Sequence, residues 1–197
     1  PGVLHRLAKR DGDRLGFARW VADTNNPLLA RVAVNRMWQH LFGQGIVQTD
    51  NDFGSQGIPP THPRLLDWLA VEFMENGWSQ KELHRLLVTS ATYRQASSRR
   101  ADVERIDPAN KWLARQARFR LDAELVRDVA LAASGMLSAR MGGPGVFPPQ
   151  PEGCMDLGQH RKTWKASTGE NRYRRAAYTY RWRNTPHPAL KVFDAPD

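Results

Sequence analysis

The chain holds one cysteine in 197 residues. Cys154 therefore has no partner for an internal disulfide, and neither a paired-thiolate zinc knuckle nor a Cys-x-x-Cys-His haem attachment can be built. It reads as a small loop residue, not a reactive thiol. The six histidines (His5, His40, His62, His84, His160, His187) are scattered. None stands at the i, i+4 spacing that sets two imidazoles on one metal, so no metal is expected. No glycine-rich phosphate loop and no nucleophile–base spacing occurs. No apolar run approaches the roughly 18 residues of a membrane span. The opening PGVLHRLAKRDGDR carries no apolar leader core, and Pro1 at its head suggests a piece of a longer protein.

Acidic residues are also the minority: 20 Asp and Glu against 29 Lys and Arg, a net charge of +9. Between Arg161 and Arg183, eight basic residues face Glu170 alone, so this window carries +7 of the total. A one-sided field of this kind attracts nucleic acid, acidic polysaccharide or an acidic partner surface.

What is present suits a globular protein: 41% hydrophobic residues, 25% charged, and seven tryptophans as large packing units. Asp13 can cap a short helix carrying Leu15, Phe17, Ala18 and Val21, with Trp20 beside them. Asn26 caps a second helix with Pro27 at its first position. There Ala30, Val34 and Trp38, with Ala33, Met37 and Leu41, form a broad apolar arc that ends at Gly43. Mid-helix Asn35 should bond a loop backbone, with the 50–56 loop as the expected partner. A third helix opens at Thr61 or His62 with Leu65, Leu66, Leu69 and Phe73 inward, and stops at Gly77. Ser79 and Glu82 form a capping box for a fourth helix burying Leu83, Leu86, Leu87 and Ala91. The third and fourth helices make an αα-hairpin. Residues 99–107 read as a charged connector and 108–117 as a short helix. Asp122 caps a helix running to about Ala139 with Leu125, Val129, Ala132, Ala133 and Met136 at helical spacing. From Met141 the Gly/Pro-rich stretch MGGPGVFPPQPEGCMDLG excludes regular structure. Residues 177–183 alternate as a half-buried strand would, with Tyr178, Tyr180 and Trp182 on one face and Thr179, Arg181 and Arg183 on the other.

Two constellations carry candidate chemistry. Glu124, Arg127 and Asp128 lie within about one helical turn, with Arg118 and Arg120 just ahead. They read either as a pocket cluster holding an anion or positioning a proton, or as surface salt bridges. The weak catalytic candidates are Asp122, Glu124 and Asp128. The interleaved Tyr178, Tyr180, Arg181, Trp182 and Arg183 suit stacking on a sugar or base, though an edge strand with its aromatics in the core and its arginines in water is the favoured reading. Tyr93, Arg94 and Gln95 can stack on a ligand or close a helix end.

Taken in order, NRMWQHLFGQGIV, HPRLLDWLA, YRQ, RFRLDAELVRD, MGGPGVFPP and FDAPD resemble the bacterial family DUF1553, from about Leu15 to Asp197. Met37 and Ala96 are small departures. The resemblance implies the C-terminal part of a large exported planctomycete-type protein, behind a cytochrome-c-like segment and another uncharacterised domain, in genomes rich in polysaccharide-degrading enzymes. It implies an extracytoplasmic location, periplasmic or at the cell surface. Any c-type haem would lie outside this chain, and the family sequence continues beyond FDAPD.

The expected fold is mainly α, a bundle-like helical domain with an αα-hairpin followed by a Gly/Pro-rich irregular segment and a short strand region. The expected division is a helical domain over 1–140 and a basic extension over 141–197 packed on it. The leading functional expectation is a module binding an anionic or carbohydrate ligand, or a neighbouring domain of the same polypeptide. The binding residues would be Arg120, Arg127, Tyr178, Tyr180, Arg181, Trp182 and Arg183. The alternatives are carboxylate acid–base chemistry on glycans and nucleic-acid binding.

Overall fold

The computed structural model describes residues 13–157, 163–182 and 187–193. Among them the protein is mainly α, with seven α-helices and no sheet. The chain forms two compact units that meet in sequence between Phe119 and Arg120.

The first unit holds α1 (Arg14–Val21), α2 (Leu29–Phe42), α3 (Pro63–Glu75), α4 (Gln80–Thr89) and α5 (Ala101–Ile106). Asp13 caps α1 as expected, its Oδ1 accepting from the Gly16 N–H at 2.6 Å. α1 buries nothing: Leu15 and Phe17 are more than half exposed. Asn26 accepts from the N–H groups of Leu28 and Leu29 and donates to the Trp20 carbonyl, so it ties the end of α1 to the start of α2. Regular helix begins at Leu29, two residues later than Pro27 suggested.

The core gathers on α2. Val34, Trp38 and Phe42 are buried with Leu66, Leu69 and Phe73 of α3 and Leu83 and Leu87 of α4. Each such side chain contributes about 1.5–3 kcal/mol by leaving water. Trp38 stacks on Phe42 with centroids 3.9 Å apart, and Tyr93 meets Phe42 edge-on. Asn35 has no solvent exposure at all. Its Nδ2 donates to the Val47 carbonyl at 3.0 Å and its Oδ1 accepts from the Val47 N–H at 2.8 Å. The loop partner expected for Asn35 is real but lies earlier than the 50–56 loop. Gly45 is small for the same reason: a Cβ there would sit 2.6 Å from the Val47 carbonyl and 2.8 Å from the Asn35 amide.

The hairpin turn follows from helix-end chemistry. Gly77 takes φ +65°. Its N–H bonds the Met74 carbonyl while Trp78 N–H bonds Phe73, and the Trp78 ring packs on Phe73 at 5.3 Å. This is a Schellman stop with its hydrophobic contact. Ser79 then caps α4, accepting from the Glu82 N–H at 3.3 Å. Leu83 and Leu87 are buried, but Leu86 is 37% exposed and Ala91 lies beyond the helix end, so both leave the expected stripe.

Residues 99–117 reverse their expected roles. The expected connector contains α5, and the expected helix at 108–117 is irregular. Buried Asp107 accepts from the N–H groups of Lys111 and Trp112 at 2.9 and 2.8 Å. Asn110 accepts from the Arg115 N–H and donates to the Arg115 carbonyl. Such local side-chain bonds compete with helix. They hold Asn110 at φ +53° and Leu113 at +56°, a conformation costing a leucine about 1–2 kcal/mol. Gln95 supports the turn by donating to the Leu113 carbonyl at 2.7 Å.

The second unit is built on α6 (Ala123–Ala133) and α7 (Pro188–Lys191), with 3-10 turns at Cys154–Leu157, Gly169–Tyr173 and Ala176–Tyr178. α6 stops six residues before the expected end. Gly135 at φ +71° closes it, with bonds from Gly135 to Ala132 and from Met136 to Leu131. Leu125, Val129 and Met136, which stand at helical spacing, are 43%, 56% and 48% exposed, and Ala132 and Ala133 are exposed too. The face that packs carries Ala123 and Asp128. The short strand region consists of isolated parallel bridges, Ser138 with Arg174 and Val146 with Thr179. Its expected sidedness holds only in part: Arg181 is exposed and Tyr178 and Trp182 are half-buried, but Thr179 is buried and Tyr180 is 40% exposed. Arg183 lies outside the described residues.

Candidate functional site

The Glu124–Asp128 turn of α6 divides by direction. Arg127 donates to the carbonyls of Arg174 and Arg172 at 2.7 and 3.0 Å. Burial pushes its guanidinium pKa below the usual arginine value, against the neighbouring Asp128 charge that raises it. Asp128 accepts from the Ala176 N–H at 2.6 Å and meets the Arg175 Nε at 3.4 Å. These two side chains staple α6 to residues 172–176, and that fixes which face of the helix turns inward. Arg174 is the deepest cation, 1% exposed. It donates to the carbonyls of Arg140, Gly142 and Pro144, and its guanidinium lies 3.9 Å from the Tyr178 ring centroid.

Glu124 behaves differently. It pairs with Arg181 beside an open trough of about 580 Å³. Gly145, Ala176, Ala177 and Thr179 line it with small groups, and Tyr178 and Tyr180 give it aromatic walls. Tyr180 stacks on Phe147 with centroids 4.9 Å apart and meets Trp182 edge-on at 5.3 Å; Trp164 meets Phe147 edge-on at 5.1 Å. The Tyr178 hydroxyl accepts from the Gly142 N–H at 2.7 Å. Of the expected site residues, Glu124, Tyr178, Tyr180 and Arg181 converge on the trough, with Trp182 one ring behind. Arg120 and Asp122 are exposed and do not line it. The sequence pattern missed Phe147 and Trp164, because aromatics spaced so far apart carry no periodic signal.

Three of the five described cations in the basic window turn to partners within the second unit. Among its described members, Arg174 is buried, Arg175 meets Asp128 and Arg181 meets Glu124. His187, at 6% exposure, has its Nε2 3.2 Å from the Pro149 carbonyl. Burial lowers its pKa below the ordinary 6.5, the Pro149 bond opposes this, and the Arg127 charge adds to the lowering. The unfolded chain therefore binds the proton more readily, and stability rises with pH through the interval below about 6.5. We expect thermal melts to fall as pH drops through that interval, and His187→Gln to flatten the dependence. An unchanged slope in the variant would remove His187 from the account.

No group of three or more His, Cys, Asp or Glu among the described residues could hold a metal ion. No helix among them is long and apolar enough to cross a membrane. The class that the fold defines is a mainly α chain of two compact units. The chain matches the family described as "PSD1: Protein of unknown function (DUF1553)" over residues 13–197, and it belongs to that family. No curated protein and no solved structure matches it.

Proposed function

We propose that this chain is a ligand-binding module of a larger exported bacterial protein, and that its second unit takes a carbohydrate in the trough beside Tyr180. The observation that carries the reading is the convergence of an exposed aromatic face with the Glu124–Arg181 pair over a floor of small residues. An apolar ring face suits the C–H face of a pyranose, and flanking charged groups suit its hydroxyls or an acidic substituent. Neighbouring domains of the same polypeptide remain the natural partners, and any haem would be carried by them.

Binding is favoured over acid–base chemistry by how the carboxylates are used. Asp128 holds a backbone N–H and Glu124 holds Arg181, whereas glycosidases present two carboxyl groups facing each other across the bond to be cut. The nucleic-acid reading loses support because three of the described cations in the basic window turn to partners within the fold.

The test is titration with neutral and uronic-acid oligosaccharides by calorimetry. Tyr180→Ala should weaken binding about 3- to 10-fold, the scale of one aromatic contact. Absence of glycan binding, or equal binding by the variant, would refute the trough. Steeply salt-dependent binding of duplex DNA would favour the nucleic-acid reading instead.

A further inference from the structure

A second concavity lies wholly within the first unit. It has a volume of about 310 Å³, at the low end of small-molecule sites. Its wall includes the end of α2 and the loop after it, with the 109–119 turn opposite. Four cations line it, Arg99, Lys111, Arg115 and Arg118, together with His62, and no Asp or Glu does. Trp38, Phe42 and half-exposed Phe119 supply an aromatic side.

The cations differ in how much charge they keep available. Arg99 pairs with Glu104 at 3.0 Å, and Arg118 Nε donates to the Ser97 hydroxyl at 3.2 Å. The charged ends of Lys111 and Arg115 make no ion pair among the described residues. The one buried carboxylate nearby in sequence, Asp107, is taken up by backbone N–H groups.

The scaffold behind these cations is unusually determined. Asp107 and Asn110 clasp the turn from both sides, Gln95 holds the Leu113 carbonyl, and two non-glycine residues sit in left-handed conformation. Strain of this kind persists where surrounding bonds over-determine the backbone, and it clusters at sites that hold ligands. Here its effect is to place Lys111 and Arg115 on the same cleft.

We infer that this cleft binds a small organic anion, an oxyanion group carried on a ring-sized body. The oxyanion meets Lys111, Arg115 and Arg118, and the ring lies against Phe119. Guanidinium forks match the planar spacing of oxyanion oxygens, and a concave wall of one sign raises the local concentration of anions. The cleft is distinct from the trough and takes a different chemistry.

The experiment titrates the whole chain with phenyl phosphate, phenyl sulfate and benzoate, with phenol as the neutral control. At least one anion should bind and phenol should not, and the tightest of the three identifies the oxyanion. The double variant Lys111→Ala/Arg115→Ala should weaken that binding at least tenfold while leaving the melting temperature close to that of the parent, because neither charged end forms an ion pair among the described residues. Tyr180→Ala should leave it unchanged. If the double variant does not fold, the parent's affinity measured against added sodium chloride decides, and it should fall steadily with salt. No binding by any anion at millimolar concentration, equal binding by the double variant, equal binding of phenol, or salt-independent affinity would each overturn the inference.

Discussion

Replacing Asn35 with alanine should destabilise the first unit by about 3 kcal/mol, a large share of a small domain's total. Both backbone groups of Val47 depend on this one amide. Removing it leaves a buried donor and a buried acceptor, each costing about 1–3 kcal/mol when unsatisfied, and opens a void beside Gly45. Asn35→Asp separates hydrogen bonding from volume. It keeps the shape and can accept from the Val47 N–H, but it confronts the Val47 carbonyl with an acceptor and buries a charge, so it should be no better than alanine. Chemical denaturation followed by tryptophan fluorescence gives the values. A loss under about 1 kcal/mol for alanine would mean that the 45–47 segment finds other partners.

Arg174→Met is the second large effect, also about 3 kcal/mol or more, and it falls on the second unit. The guanidinium satisfies three backbone carbonyls and lies over Tyr178. Methionine fills much of the volume and satisfies none of them. Arg174→Lys should not rescue, because one ammonium cannot span three separated carbonyls with the reach of a planar fork. Hydrogen exchange is the direct readout. The amides of Ser138 and Val146 bond the carbonyls of Tyr173 and Tyr178, and should lose protection in both variants. Retained protection in Arg174→Met would show that these bridges stand without the arginine.

What was legible in the sequence follows from how local each cause is. The α2 arc, the stop at Gly43, the Pro63 start and the Ser79 cap are set within a few residues, and all appear in the structure. So does an internal role for Asn35, since a mid-helix amide among apolar neighbours needs a partner. Causes that depend on distant contacts were misread. Leu125 and Val129 stand at good helical spacing, yet the inward face of α6 is chosen by Arg127 and Asp128 bonding residues 172–176, almost fifty positions away. The 108–117 turn looked helical because a pattern of side-chain types does not reveal that Asp107 and Asn110 will capture backbone groups. The trough was half visible: Glu124, Tyr180 and Arg181 were named, but the glycine and alanine floor was not. The cationic cleft was almost invisible, because Arg99, Lys111 and Arg115 lie in segments read as a plain connector and a short helix, and Arg118 was grouped with the Glu124–Asp128 turn instead. Only folding gathers them.

The burial of Arg174 has a further consequence for how the second unit answers its surroundings. Its charge is met by peptide dipoles and a ring face, with no carboxylate against it among the described residues. Dipoles of this kind have no proton to gain in acid and, being enclosed, are poorly reached by dissolved ions. The innermost cation therefore stays anchored across acidification and brine alike, and acid acts on this unit through His187 instead.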